Sequence, residues 1–264
     1  SDQEKIRKLV FEAKEFNIDV RPPDITNSHE FHIDMDGKIV FGLKAIKGLG
    51  ENIVAKATKL KKCKTWIDTI DCIFRNRLPK NLIEPSIYCG AMDCFGVTRS
   101  EMIRTYRALS SLTDNELSVV LSNIIVGQKS IIDALKSVLD KNPLYDAVYV
   151  KDFLKKDSAI RIVQSRILKV RDIIYTYERS RAIDNPTLNA IREELFLDVS
   201  LSGHRIDGYT ISKDVITCKD SKSITDDDDK KISIACVIEK VKDHTDKNGN
   251  KMLFMSVSDS TGEL

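Results

Sequence analysis

The stretch GLKAIKGLGENIVAKA, Gly42 to Ala57, sets two glycines around one leucine, with lysines on both sides. Three chemistries fit such a pattern: a glycine loop for a nucleotide, a turn between helices, or a grip on a phosphate backbone. A dinucleotide loop needs a third glycine three residues after the second. Asn52-Ile53-Val54 stands there instead, and the GxxxxGK[ST] phosphate loop is also absent. Both nucleotide readings fall. What is left is helix, Gly-Leu-Gly, helix. Glycine permits the positive φ of a tight reversal, and Leu49 between the glycines would turn inward. The amides of Gly48, Leu49, Gly50, Glu51 and Asn52 would then face outward, with Lys44, Lys47 and Lys56 around them. Such amides suit an anion.

Other reactive residues offer less. Six cysteines, Cys63, Cys72, Cys89, Cys94, Cys218 and Cys236, form no CxxC pair and have no histidine at ligand spacing. They read as reduced thiols, without zinc or disulfides. His29 and His32 read as a solvated pair on extended chain. Asp34 and Asp36 read as an exposed turn, not a metal pair. Ser202 near His204 lacks the base and oxyanion site that a nucleophile needs, so SLSGH reads as a turn after a helix.

The elements around these groups follow from periodicity. Ile6, Leu9, Val10 and Ala13 mark an amphipathic helix that must end before Pro22 and Pro23. Phe31 to Met35 and Lys38 to Phe41 make a hairpin about Asp36-Gly37. A short helix begins at Leu43 and Ile46, and a second runs from Glu51 to Lys62. Thr65, Thr98 (or Ser100), Thr113 with Glu116, and Asn185-Pro186 are helix starts. Ser110 to Leu195 is helical in period and carries no chemical motif. An acidic run, TDDDDKK, follows as a linker. Ile232 to Val241 and Met252 to Val257 alternate as strands about Asn248-Gly249, and a third strand starts after Thr261-Gly262.

The 264 residues carry a net charge of only +2, so whole-chain charge announces no partner. Its distribution does. From Lys38 to Lys64 there are eight lysines and one acid, a local net of +7. Gly-Leu-Gly alone reads as a turn in a helical bundle with a solvated basic face. The basic block shifts the reading toward a sequence-independent, salt-dependent hold on a phosphate backbone. No signal peptide, transit peptide or membrane-spanning run is visible, and a cytoplasmic protein without a membrane partner is expected. Both ends break a pattern, a helix at Ser1 and a strand at Leu264, so a piece of a longer protein is expected.

The block FNIDVRPPDITNSHEFHIDMDGKIVFGLKAIKGLGENIV resembles the C-family replicative DNA polymerases of bacteria and phages, the DNA polymerase III alpha subunits. Three further blocks keep that family's order: NLIEPSIYCGAMDCFGVTRSEMI, EELFLDVSLSGHRID and ISIACVIEKVKDHTDKNGNKMLFMSVSDSTGEL. Arg205 stands where the family has proline, and Cys236 where it has glycine. Together the blocks cover about half the chain and reach along its length.

The resemblance implies a mainly α fold with a small β part. Residues 1–40 would end a fingers domain, and 41–110 would form a tandem helix-hairpin-helix domain. Residues 111–229 would be a helical connector and linker, and 230–264 the first part of an OB-fold barrel, truncated at its C-terminus. It implies DNA-directed DNA synthesis by the intact subunit, with the catalytic acids and their Mg upstream and no cofactor or metal in this segment. The implied partners are duplex DNA, single-stranded template, a sliding clamp and other replisome subunits. The duplex contacts would be Lys44, Lys47, Gly48, Leu49, Gly50, Glu51, Asn52, Lys56, Gly90 and Arg99. The OB candidates for a single strand are Lys242, His244, Lys247, Lys251 and Phe254. Gln128, Ile131 and Ile132 occupy the order of a clamp peptide but lack its terminal aromatic. The alternative is a non-catalytic DNA-binding or adaptor protein derived from that polymerase. A helix-hairpin-helix repair glycosylase is disfavoured, since no catalytic aspartate and lysine follow the hairpin.

Overall fold

The computed structural model describes residues 2–27, 30–141, 157–224 and 231–264. His29, the acidic run at 225–230 and part of the unassigned stretch 139–182 lie outside them. Among these residues the fold is mainly α-helical with two three-stranded sheets. It divides into two compact units along other lines than the sequence blocks. One comprises Ser1–Val54, Tyr88–Ala91 and Asp184–Leu264, and the other Ala55–Ile87 and Met92–Ile183.

In the first unit, helix α1 (Asp2–Glu15) leads to a small sheet of β1 (Val20–Arg21), β2 (His32–Ile33) and β3 (Ile39–Val40), in the order β1-β3-β2. The anticipated hairpin is β2–β3, turning at Gly37 with φ 79°. Its strands are shorter than the alternation suggests. The prolines after Arg21 stop β1, which pairs parallel with β3. The chain then narrows at Gly42, where a Cβ would lie 2.5 Å from the Glu30 backbone.

A single 3-10 turn, Leu43–Ala45, replaces the short helix anticipated there. The helix expected over Glu51 to Lys62 is one α-turn, α2 (Glu51–Val54), followed by a 3-10 helix, Ala55–Leu60. The change has a local cause. Ala57 and Leu60 are the buried pair, and a three-residue repeat is the period of a 3-10 helix. The Thr58 hydroxyl also donates to the Ala55 carbonyl at 2.7 Å, loading the tighter turn.

The first unit is completed by helix α9 (Pro186–Leu197), a 3-10 turn Arg205–Gly208, the short α10 (Cys218–Ser221) and a second sheet. That sheet orders β4 (Val237–Thr245), β5 (Lys251–Asp259) and β6 (Gly262–Glu263) as β4-β5-β6, all antiparallel. The first strand starts later than the alternation from Ile232 suggests, because Ile234 forms a parallel bridge to Ile216 instead. Gly249, φ 84°, turns the hairpin, and the Asp246 carboxylate accepts the Asn248 and Asn250 amides.

The second unit is a helical bundle: α3 (Trp66–Arg75), α4 (Lys80–Tyr88, whose last residue falls in the first unit), α5 (Arg99–Ser110), α6 (Asp114–Ile125), α7 (Ile131–Lys141) and α8 (Asp157–Arg179). The helix starts read from sequence hold. Thr65 with Asp68 and Thr113 with Glu116 form capping boxes, while Thr98 and Asn185 cap α5 and α9. Each satisfies amides that the first helical turn leaves open. Met102, Leu109, Val120 and Leu135 are fully buried between these helices.

Candidate nucleic-acid interface

The hairpin is built from the inside outward. Leu43, Ile46, Leu49 and Val54 are all buried, so the leucine between the glycines points into the first unit. Gly48 holds φ 83°, the left-handed conformation that lets the chain reverse after Lys47. The Lys47 amide donates to the Phe196 carbonyl at 2.8 Å, and Leu49 donates to Ile46 at 3.1 Å. The Gly50 carbonyl takes the Ile53 and Val54 amides. The amides of Gly48, Gly50, Glu51 and Asn52 make no hydrogen bond among the described residues. These four residues are exposed. The helix behind them is only four residues long, so its dipole contributes little. The open amides themselves are what faces solvent.

The lysines of this hairpin are not free. Lys44 lies 2.8 Å from Glu30 and 3.0 Å from Glu51. The Glu30 carboxylate, with Glu51, holds its ammonium above the usual lysine range. Lys47 is ion-paired with Asp198 at the C-terminal end of α9. Glu51 is thereby a lysine partner as well as a hairpin residue. Lys56 falls in the second unit, exposed on the 3-10 helix and without an ion pair among the described residues.

The second hairpin sits between α4 and α5. Gly90, φ 82°, is buried, and the carbonyl of the next residue, Ala91, accepts the Ile25 amide at 2.8 Å. Arg99, in the second unit, is only 3% exposed. Its guanidinium is committed to the Asp93 carboxylate at 2.7 to 3.1 Å. It braces the turn Asp93–Phe95 rather than facing solvent.

On the β4–β5 hairpin, opposed residues share a face. Lys242 opposes Phe254 and His244 opposes Met252. The rings of His244 and Phe254 meet edge-on with centroids 5.5 Å apart. Phe254 is 57% exposed, so it does not point into a packed interior. Lys247 is in the turn. Lys251 opposes Thr245 on the other face, together with the exposed apolar residues Val241, Leu253 and Met255. Gln128 has φ 50° at the end of α6, and Ile131 and Ile132 begin α7, which Ser130 caps through the Asp133 amide. This segment is a helix junction rather than an extended peptide.

Asp34 spends its carboxylate on the Lys38 and Asp36 amides at 2.9 Å each. Those bonds, the Lys38 amide above all, hold its pKa below the usual value. Among the described residues no three His, Cys, Asp or Glu side chains lie together as a metal site.

A network centred on Glu239 was missed from sequence. In SLSGH, the buried Glu193 carboxylate accepts the Leu201 and Ser202 amides at 2.6 and 2.9 Å and both serine hydroxyls. The His204 Nδ1 accepts the Ile206 amide at 3.3 Å. Its Nε2 therefore donates to Ser258 Oγ at 3.0 Å, and Ser258 donates to Glu239 at 2.7 Å. Glu239 also pairs with Arg205 at 2.8 Å and Arg7 at 3.2 Å. This polar cluster lines a cavity of about 90 Å³, far below the volume of a nucleotide site. It ties α1, the Arg205–Gly208 turn and the β4–β5 hairpin together. The signal was present only as scattered polar residues, with Arg205 34 positions and Arg7 232 positions from Glu239.

A family model described as a helix-hairpin-helix motif matches residues 17–102, which contain both hairpins. Over 99% of its length the chain is 25% identical to the DNA polymerase III subunit alpha of Buchnera aphidicola subsp. Schizaphis graminum, covering 20% of that protein. It is 25% identical to the Pseudomonas aeruginosa subunit over 99% of its length, covering 21% of it. It is 23% identical to the Bacillus subtilis subunit over 100% of its length, covering 20% of it. The chain spans about one fifth of the length of these curated relatives. Hairpins, helical core and C-terminal sheet all fall inside these alignments, so the chain is similar along its whole length to part of the DNA polymerase III alpha subunits.

Proposed function

We propose that this chain is the duplex-holding stretch of a DNA-synthesising polymerase subunit, with the chemistry carried by other parts of that subunit. The observation that supports it most directly is the Gly48–Asn52 turn. Four exposed amides there lack partners among the described residues, in a chain similar along its length to subunit alpha. A phosphate oxygen accepts from such amides without reference to base identity. In this reading residues 1–40 end a fingers domain, 41–110 hold the duplex, 111–229 connect, and 230–264 begin an OB module. The acids that bind Mg and transfer the nucleotide belong outside this chain. A cytoplasmic location goes with that role.

The Lys242–His244–Phe254 face suits single-stranded template, since a base stacks on an exposed ring beside basic side chains. Clamp contact through Gln128, Ile131 and Ile132 would require the first turn of α7 to unwind. The adaptor reading draws on the other face of that hairpin, where Val241, Leu253 and Met255 are more than half exposed. It calls for a protein partner and no duplex binding. Fluorescence anisotropy with a labelled duplex decides between them. The duplex-holding reading expects binding without nucleotide incorporation, and no binding at low salt would overturn it.

A further inference from the structure

The basic block divides into two kinds of lysine. Lys44 and Lys47 are neutralised by Glu30, Glu51 and Asp198. Lys56, Lys59, Lys61, Lys62 and Lys64 are all exposed, and none has an ion pair among the described residues. The acids that follow them are already engaged. Asp68 accepts the Thr65 amide at 3.1 Å in its capping box, and Asp71 pairs with Arg75 at 2.7 Å.

Geometry arranges these lysines. The 3-10 helix Ala55–Leu60 buries Ala57 and Leu60. A 3-10 helix eclipses side chains three apart and rises about 2 Å per residue. Lys56 and Lys59 therefore stand on one outward edge, about 6 Å apart along it. Lys62 continues the three-residue spacing just past the helix, with Lys61 and Lys64 beside it. Each strand carries one phosphate per about 3.4 Å of helix axis, so a row of ammoniums about 6 Å apart faces several phosphates at once.

We propose that the Lys56–Lys64 tract is the electrostatic footprint for the duplex phosphate backbone in the second unit, and that Lys44 and Lys47 contribute little to it. This rests on the duplex-holding reading and makes it specific. A free ammonium meeting a phosphate releases condensed counterions from the DNA. A lysine already paired with a carboxylate must first give up that pair, and its net gain is small.

The test is the dependence of affinity on salt, with the full chain and a short duplex of arbitrary sequence. The variants are Lys56→Gln/Lys59→Gln/Lys62→Gln, the same three changed to Arg, and Lys44→Gln/Lys47→Gln. Each phosphate contact contributes about 0.9 to the slope of log K against log salt. The glutamine triple should flatten the slope by about 2.7, and the arginine triple should retain it. The Lys44/Lys47 double should change it by less than about 0.5. An unchanged slope in the glutamine triple, or a flattening of about 1.8 in the double, overturns the tract while leaving the duplex-holding reading intact. Absence of wild-type duplex binding overturns both, and so does binding to heparin without binding to duplex.

Discussion

Lys47 and Asp198 form an ion pair across the end of α9, and the Lys47 amide adds a second tie there by donating to the Phe196 carbonyl. The partners are 151 positions apart. The pair fixes the first hairpin against the C-terminal end of α9, where a cation also meets the negative end of the helix. Asp198 itself sits in the left-handed conformation, φ 66°, as the cap of that helix.

Asp198→Asn isolates the charge, since asparagine tolerates the left-handed cap. With Lys47 44% exposed, the lost pair should cost less than about 1 kcal/mol in urea unfolding. The freed ammonium should also steepen the salt slope of duplex binding by about 0.9. A shallower slope in this variant would contradict the assignment of Lys47 as a neutralised lysine.

The two hairpin glycines have different jobs. Gly48 needs its positive φ, so Gly48→Ala should destabilise by about 1–2 kcal/mol. Gly50 has no positive φ, and nothing lies within 4 Å of an added Cβ. Gly50→Ala should leave unfolding within about 0.5 kcal/mol of wild type. If the open amides hold a phosphate, it should still lower duplex affinity severalfold, because the new methyl stands where the backbone is approached. Equal affinity in a stable Gly50→Ala protein would remove the turn from the interface.

Arg99 was expected among the DNA contacts, yet its guanidinium lies buried against Asp93. Arg99→Ala should therefore act first on stability, by about 1–3 kcal/mol in chemical denaturation. The half-exposed Asp93 keeps the cost below that of a fully buried pair. Loss of duplex binding with unchanged stability would instead make Arg99 a direct contact.

The residues that act on near neighbours were legible in the sequence. Thr65, Thr98, Thr113 and Asn185 cap helices as their spacing implies, and Gly37 and Gly249 turn hairpins. Leu49 lies inward between its glycines. What escaped were choices made by packing, two of them by distant partners and one locally. Ile216 draws Ile234 out of the strand that alternation assigns it to. Asp198 occupies Lys47, and the Ala57–Leu60 burial converts an expected α-helix into a 3-10 segment. Charge along the chain marks the basic block but could not show which lysines were already paired.

His204 supplies a pH dependence. Burial pushes its imidazole below the usual 6.5, against the pull of Asp207, Glu239 and Glu194 and with that of Arg205. The folded state thus favours the neutral ring. The unfolded chain takes up its proton first as pH falls, so this contribution is complete above about pH 6.5 and is lost on descending through the folded pKa. Unfolding free energy measured from about pH 7.5 to about pH 5.5 should fall more steeply in wild type than in His204→Asn, which keeps a capping oxygen. Parallel profiles would remove His204 as the cause.

The central claim is a backbone hold that ignores sequence. Its most direct measurement is the affinity of the full chain for two duplexes of unrelated sequence across a salt series. The account predicts equal affinities at each salt concentration and a steep common decline as salt rises. Affinity that is independent of salt, or that separates the two duplexes by more than about tenfold, would contradict it.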